Sequence, residues 1–342
     1  LVFGGIGYNF VANYHGGDGN DLVLQWANNR VVAWGDNWPG KVGDGTTTDR
    51  LVATNVLSTG LLKGKTILSL ATGGDHSVAL CSDGTLASWG ENGSGQLGNN
   101  NTTDSNVPVS VIQSGVLAGK TVVAISAGSS FSLALCSDGI IVAWGAGASG
   151  QLGNNITANS SVPVLVSTSG ALSGKTVVKI SAGGTHSLAL CADGTLVAWG
   201  SNSSGQFGNN STAGSPVPVI IPSAGALAGK VVSGISAGDS HSLAIANGQA
   251  TAWGSGGSGQ LGTGASNSST LPVSVVSSGI LSGKTVTFVA AGSSHSMALC
   301  SDGTVATWGY NGYGALGDNS YNSRTSPVGI LQSAVFSGKT VI

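Results

Sequence analysis

Charge is scarce in this sequence. Across 342 residues, 12 Lys and Arg stand against 14 Asp and Glu, for a net charge of −2 and a charged fraction of 8%. Gripping nucleic acid or an anionic membrane takes a concentrated basic face, so a nucleic-acid partner is not expected. No run of 18 apolar residues occurs, which excludes a membrane-inserting helix. The opening LVFGGIGYNF lacks the basic head and long apolar stretch of a secretory leader. With no methionine at its start, the chain reads as a piece of something longer. Cysteine is limited to Cys81, Cys136, Cys191 and Cys300, with no metal-ligand spacing among them. Helical periodicity is missing throughout. What remains is 57 glycines, connections rich in Ser, Thr and Asn, and 41% apolar residues. That apolar share is too high for disorder.

The apolar residues are organised by a repeat. Trp-Gly recurs at Trp34, Trp89, Trp144, Trp199, Trp253 and Trp308, in steps of 55, 55, 55, 54 and 55 residues. The unit is cleanest at 174–221, GKTVVKISAGGTHSLALCADGTLVAWGSNSSGQFGNNSTAGSPVPVII, and predicts four strands: TVVKISA, HSLALC, TLVAWG and VPVII. Asp-Gly or Asn-Gly between the second and third is a strong hairpin signal. It stands at Asp83-Gly84, Asp138-Gly139, Asp193-Gly194, Asn247-Gly248 and Asp302-Gly303. Four-stranded units repeating every ~40–50 residues indicate β-propeller blades. The expected fold is all-β: one six-bladed β-propeller over residues 1–342, with seven blades the lesser alternative. The hairpin and opening strand at 8–35 begin the first unit, and SGKTVI at 337–342 begins what would be a seventh. Overlap of the terminal strands is therefore expected to close the ring without an open sheet edge.

Centring the turn on Asp193-Gly194 pairs Cys191 with Leu196, Ala189 with Ala198 and Leu188 with Trp199. His186, Leu188, Leu190, Val197 and Trp199 then share a bulky face. Ser187, Ala189, Cys191, Leu196 and Ala198 share a smaller one, into which the next blade packs. This bears on an apparent catalytic set. His186, Cys191 and Asp193 lie within eight positions and have the side chains of a thiol-protease nucleophile, base and orienter. His186 and Cys191, five positions apart, point to opposite faces and are ~16 Å apart along an extended strand, too far for direct proton transfer. The copies also vary: Phe131 stands at the His position in the third unit and Ala246 at the Cys position in the fifth. The set is repeat punctuation, and no enzyme activity is expected from it.

The string H-S-x-A-L-x-x-D-G, carried on to W-G and G-Q-L-G, resembles the repeat of the regulator of chromosome condensation family. Its matching residues include His76, Asp83, Gly84, Trp89, Gly90, Gly95, Gln96, Leu97 and Gly98, with Phe131 and Phe207 as departures in later units. The resemblance implies a β-propeller, usually of seven blades, used as an interaction platform. Its namesake is a guanine-nucleotide exchange factor on chromatin, and other members inhibit or scaffold partners. This chain departs in having six copies and no basic character.

Several short motifs have two readings. GGDGNDLVL at 16–24 resembles the calcium nonapeptide of secreted toxins and the tails of autotransporter-associated repeats; Asp18 and Asp21 are the metal candidates. Calcium there needs stacked copies, so a hairpin turn is the expected reading and no cofactor is anticipated. As a compartment hint, the motif favours export to a bacterial surface or the extracellular space. SGKT falls short of a phosphate loop, since GVLAGKT at 115–121 has three residues between its glycines and the full pattern needs four. Lys65, Lys120, Lys175, Lys230, Lys284 and Lys339 recur one per unit, as strand-entry residues or as a rim attractive to an anionic partner. His76, His186, His241 and His295 are expected to bond backbone at the strand entry. The cysteines, at one equivalent position in separate blades, lie too far apart to bridge and are expected as small buried hydrophobes.

Function is sought where units depart from the scaffold. All five Tyr fall in the first and last units, as do Trp26 and Trp38, the only Trp outside the Trp-Gly series. The repeated GSGQLGNN loop becomes DNWPGKVGDG at 36–45 and YNGYGALGDN at 310–319. The candidate binding residues are Trp38, Lys41, Asp44, Tyr310, Tyr313, Tyr321 and Arg324; aromatics ringed by polar groups suit protein or carbohydrate recognition. Sealing of the closure seam is the competing role. The functional expectation is a non-enzymatic binding or structural module of an exported or surface protein, one bead of a larger multidomain chain or fibre. Regulation of a partner enzyme or GTPase, by family analogy, is a second reading. An enzyme with its site at the central-channel mouth is a third.

Overall fold

In a computed structural model, residues 31–331 are described with their side chains; before residue 31 only strand backbone is described. Among the described residues the strands form six four-stranded antiparallel sheets, plus a two-stranded hairpin, Val2–Phe3 with Ile6–Gly7. No α-helix occurs among the described residues. Two compact units each hold three sheets, Leu1–Thr168 the first three and Ser169–Ile342 the last three. Blade one comprises Phe10–Gly16, Asp21–Trp26, Arg30–Gly35 and Arg50–Asn55. Blade four, in the other unit, comprises Val177–Ala182, His186–Cys191, Leu196–Gly200 and Ser215–Ile221. The terminal overlap expected to close a ring rests on 337–342, which lie outside the described residues, as does Asp18.

The hairpin corrects the expected register by one residue. Ser187, not Leu188, pairs with Trp199; Leu188 pairs with Ala198 and Leu190 with Leu196. The loop has three residues rather than two. Gly194 N donates to Cys191 O, and Cys191 N to Thr195 O, both at 2.9 Å. Gly194 lies at φ +83°, the left-handed position of a turn closed by a bulge. Among the described turns, blade five alone has two residues, with Asn247 and Gly248 at φ +50° and +73° and Ala246 paired directly with Gln249. That missing residue is the single 54-residue step in the tryptophan series.

A one-residue slip exchanges faces on one strand relative to its neighbour. His186, Leu188 and Leu190 share a face with Leu196 and Ala198, while Ser187, Ala189 and Cys191 share the other with Val197 and Trp199. Packing follows the corrected faces. Leu188, Leu190, Leu196 and Ala198 of blade four meet Ala244, Ala246 and Trp253 of blade five. Val78, Leu80 and Leu86 of blade two meet Ala134, Cys136 and Trp144 of blade three. Each leucine-rich face thus receives an indole from a face otherwise built of small residues, which leaves few voids.

Linkers between blades contain short 3-10 turns, Gly60–Leu62 and its equivalents through Gly279–Leu281. Each tucks one leucine inside: Leu62, Leu117, Leu172, Leu227 and Leu281 are all buried. Pattern reading for helices and strands passes over three-residue turns.

Candidate functional site

The repeated polar residues are spent on the scaffold. Trp144 Nε1 donates to the Gln96 carbonyl at 2.9 Å, and Trp253 Nε1 to that of Gln206 at 2.7 Å. Ser132 and Ser242 hydroxyls donate to the same two carbonyls, at 3.1 and 2.8 Å. A hydroxyl has one proton, so these serines accept from the histidine of the preceding blade: His76 Nε2 stands 2.9 Å from Ser132 Oγ and His186 Nε2 3.0 Å from Ser242 Oγ. His241 and Ser296 repeat the arrangement at 2.9 Å. The partner is a side chain across the blade interface, where strand-entry backbone was expected. It leaves Nδ1 of His76, His186 and His241 buried without a hydrogen-bond partner. Burial pushes these imidazoles down to about 4 for His76 and about 3 for the other two.

His186 and Cys191 sit on opposite faces, so the catalytic constellation does not assemble. All four cysteines are buried and free. Burial raises their thiols, that of Cys81 to about 11, away from nucleophilic chemistry.

Four of the six linker lysines are ion-paired within their own blades, and Lys339 lies outside the described residues. Lys120 reaches Asp138 at 2.7 Å and Lys175 reaches Asp193 at 2.6 Å; Lys65–Asp83 and Lys284–Asp302 repeat the pair. The aspartate also accepts from the backbone N–H two residues on, as Asp193 does from Thr195 at 2.9 Å. Lys230 departs, because its hairpin partner is Asn247, and reaches Gln249 Oε1 at 3.4 Å.

Three of the seven candidate binding residues do scaffold work. Lys41 takes the place of the repeated Gln: its carbonyl accepts from Trp89 Nε1 at 2.9 Å, and its ammonium pairs with Asp36 at 2.6 Å and Asp75 at 2.9 Å. Asp44, a half-buried residue whose side chain is 4% exposed, accepts from Thr46 Oγ1 at 2.7 Å and is paired with Arg50. Burial works to raise its pKa, but the Thr46 and Arg50 bonds outweigh it and hold the carboxyl low. Arg324 makes the same pair with Asp318 in blade six, at 2.7 Å from Nη2 and 2.8 Å from Nε. Other blades have Asn or Thr at the acidic position and Ser at the basic one. Both pairs brace a loop gathered by an asparagine: Asn311 Nδ2 donates to Asp318 Oδ1, Ser320 O and Asn322 O, at 3.0 to 3.1 Å. Asn37, Asn92 and Asn202 hold their loops the same way. Sequence reading missed this clamp, although Asn three residues after the Trp of each Trp-Gly marks it in four units. Replacing Arg324 by Ala is expected to cost about 1–2 kcal/mol, read as a lower urea midpoint, since a nearly buried carboxylate loses its counter-charge. An unchanged midpoint would return the pair to the pool of binding residues.

The other four are exposed. Trp38 shows 69% of its surface in the first unit. In the second, Tyr313 shows 67% and Tyr321 76%, and Tyr310 packs edge-on against Tyr313 at 6.0 Å between ring centres. Tyr313 and Tyr321 flank a depression of about 330 Å³ with Asn319, Ser320 and Leu331. No cluster of three metal-ligating residues occurs among the described residues, and the Asp21 side chain lies outside them.

Comparison with known proteins places these blades. Models described as the regulator of chromosome condensation (RCC1) repeat match residues 83–135, 138–190, 193–245 and 247–299, more than half the chain, and a second model of that description matches 67–96, 122–151, 177–206 and 286–315. Among curated relatives, the ultraviolet-B receptor UVR8 of Arabidopsis thaliana is 31% identical over 263 residues, 76% of this chain and 57% of that protein. The human E3 ubiquitin-protein ligase HERC2 is 33% identical over 272 residues, 79% of this chain but 5% of the ligase. The chain therefore spans little more than half of one relative and a small part of the other. Human WBSCR16 superposes with a TM-score of 0.81 at 23% identity, covering 95% of this chain and 82% of that one. Prp20p of Saccharomyces cerevisiae, described with its binding to Gsp1p and histones, gives 0.76 at 23%, covering 92% and 75%. The fold is the β-propeller type of these structures.

Proposed function

Because the chain belongs to the RCC1 repeat family, we propose that it is a non-enzymatic interaction module that presents exposed aromatic side chains to a protein partner. One observation carries this reading. The repeated His, Ser, Asn, Lys and Asp side chains described above are absorbed by the scaffold, whereas Trp38, Tyr310, Tyr313 and Tyr321, which depart from the repeat, stay in solvent. Large amphipathic rings are the side chains most enriched where partners bind. A glycan is the alternative ligand, since paired tyrosines beside Asn319 and Ser320 offer a stacking surface with hydrogen-bonding groups. Regulation of a partner enzyme or GTPase is a further form of the same role, favoured by the Gsp1p binding described for Prp20p. Low charge and Ser, Thr and Asn-rich loops favour export or display on a bacterial surface, within a larger chain. The rival reading, an enzyme at the channel mouth, requires metal- or substrate-dependent turnover.

Trp38→Ala and Tyr313→Ala test the proposal. Capture of a partner from extracts of surface proteins is expected to weaken about 30-fold in Kd, as for a hot spot of about 2 kcal/mol, with unchanged melting. Lowered melting with undiminished capture would mean that these rings are structural.

A further inference from the structure

From the second unit we infer a distinct peptide-docking groove between blades four and five, fitted to an extended acidic segment with apolar side chains. The inference rests on the interaction-module reading and names a partner chemistry for it. The groove encloses about 670 Å³ between the blade-four hairpin, the end of that blade's last strand and the linker to blade five. Its floor is apolar, with Leu190, Leu196 and Leu227 buried beneath it. Its rim exposes Val178, Ile220 and Val231, the last at 73%.

Three departures from the repeat converge there. Val231 stands where other blades have Thr66, Thr121, Thr176 and Thr285. Lys179 lies in the first strand where others carry Ser69, Ala124, Gly234 and Phe288; its ammonium rests on the Ser233 carbonyl at 2.7 Å. Asn247 replaces the hairpin aspartate, so Lys230 lacks the ion pair made by its equivalents and meets only an amide oxygen. The one carboxylate lining the groove, Asp193, is engaged by Lys175. Two ammonium groups thus flank an apolar trough without a carboxylate partner of their own in it. Each substitution moves the surface the same way, toward apolar contact or positive charge. Such a surface is complementary to carboxylates alternating with aliphatic side chains along an extended backbone, because successive side chains of a strand point to opposite sides.

The test uses the whole chain and a fluorescein-labelled peptide of alternating aspartate and leucine, followed by anisotropy. Saturable binding that weakens as salt is raised is expected. Asn247→Asp with Val231→Thr restores the residues of the other blades, so the fold is expected to persist with unchanged melting. Binding to that variant, and to Lys179→Ser, is expected to fall at least about tenfold. Equal binding by a lysine–leucine peptide, or by polyaspartate, overturns the inference, as does binding that ignores all three substitutions. A chain that captures a partner through Trp38 and Tyr313 yet ignores the peptide overturns this groove while leaving the module reading intact.

Discussion

Lowering the pH from 7 to 5 is expected to remove about 2 kcal/mol of folding free energy for each of His76, His186 and His241. In the folded chain their imidazoles are held neutral, down to about 4 for the first and about 3 for the others. The ordinary value in an unfolded chain is near 6.5. Between those limits the unfolded state binds protons that the native state refuses, so stability falls as pH falls. The loss begins near 6.5 and levels off only once the folded rings titrate. Geometry explains the refusal: Nε2 already gives its proton to a serine, and a second proton would sit on a buried Nδ1 without an acceptor. The hairpin aspartates act in another window. Asp83, Asp193 and Asp302 are lowered to about 2, first by their lysine bonds; what they contribute is present above the ordinary carboxylate range and lost as pH falls through about 2. Urea midpoints at stepped pH would therefore show a slope between about 6.5 and 5 that belongs to the histidines. Their sum at pH 5, about 6 kcal/mol, rivals the whole stability of a typical domain, so acid unfolding is expected there. Phe131 occupies the histidine position in blade three, which makes the triple His→Phe variant a fair control. It is expected to flatten the slope. A flat wild-type profile would mean that the rings titrate freely in the native state.

The blades were legible because a 55-residue period, a turn dipeptide and a Trp-Gly pair coincide in most units. Strand His186–Cys191 falls where alternation and the turn place it. Register was not legible from the dipeptide alone. Asp-Gly and Asn-Gly both mark a hairpin, but the left-handed positions they supply close loops of different length, three residues at Asp193-Gly194 and two at Asn247-Gly248. The clue lay in the one short step from Trp199 to Trp253. Histidine partners were hidden for a different reason. His76 and Ser132 are 56 residues apart, and their contact exists only once blades stack.

The candidate surface was legible in half. Absence from the repeat identified Trp38 and the three tyrosines, all exposed, but the same criterion also collected Lys41, Asp44 and Arg324. Those three keep the scaffold's geometry with different chemistry: an ammonium–carboxylate pair at Lys41–Asp36 does what Gln96 and Glu91 do at 2.8 Å in blade two. A departure in sequence is not a departure in role when the replacement restores the bond. The groove of blades four and five escaped notice because two of its departures, Val231 for Thr and Asn247 for Asp, keep the size of the residue they replace, and only the fold gathers them with Lys179.

Trp253→Ala is expected to cost about 3–5 kcal/mol. The indole is fully buried between blades four and five, among Leu188, Leu190 and Phe207. It also lies against Gly208, whose φ of +67° and lack of a side chain let the ring approach; a Cβ there would come within 3.0 Å of the indole. Truncation opens a cavity that the β-sheets on either side cannot collapse into, because both are pinned by hydrogen bonds along their ladders. The Gln206 carbonyl keeps its bond from Ser242 at 2.8 Å, so the penalty is a packing penalty rather than an orphaned acceptor. Trp253→Phe, which retains most of the volume, is expected to lose about 1–2 kcal/mol by the same account. Since each blade is stabilised largely by its neighbours, a weakened fourth-to-fifth interface is also expected to broaden the urea transition as blades part company. Trp38→Ala supplies the internal standard, with a change within about 0.5 kcal/mol for a ring in solvent. A loss below 1 kcal/mol on truncating Trp253 would show that the leucine face of one blade does not depend on the indole of the next, and would remove the packing rule from which the blade architecture was built.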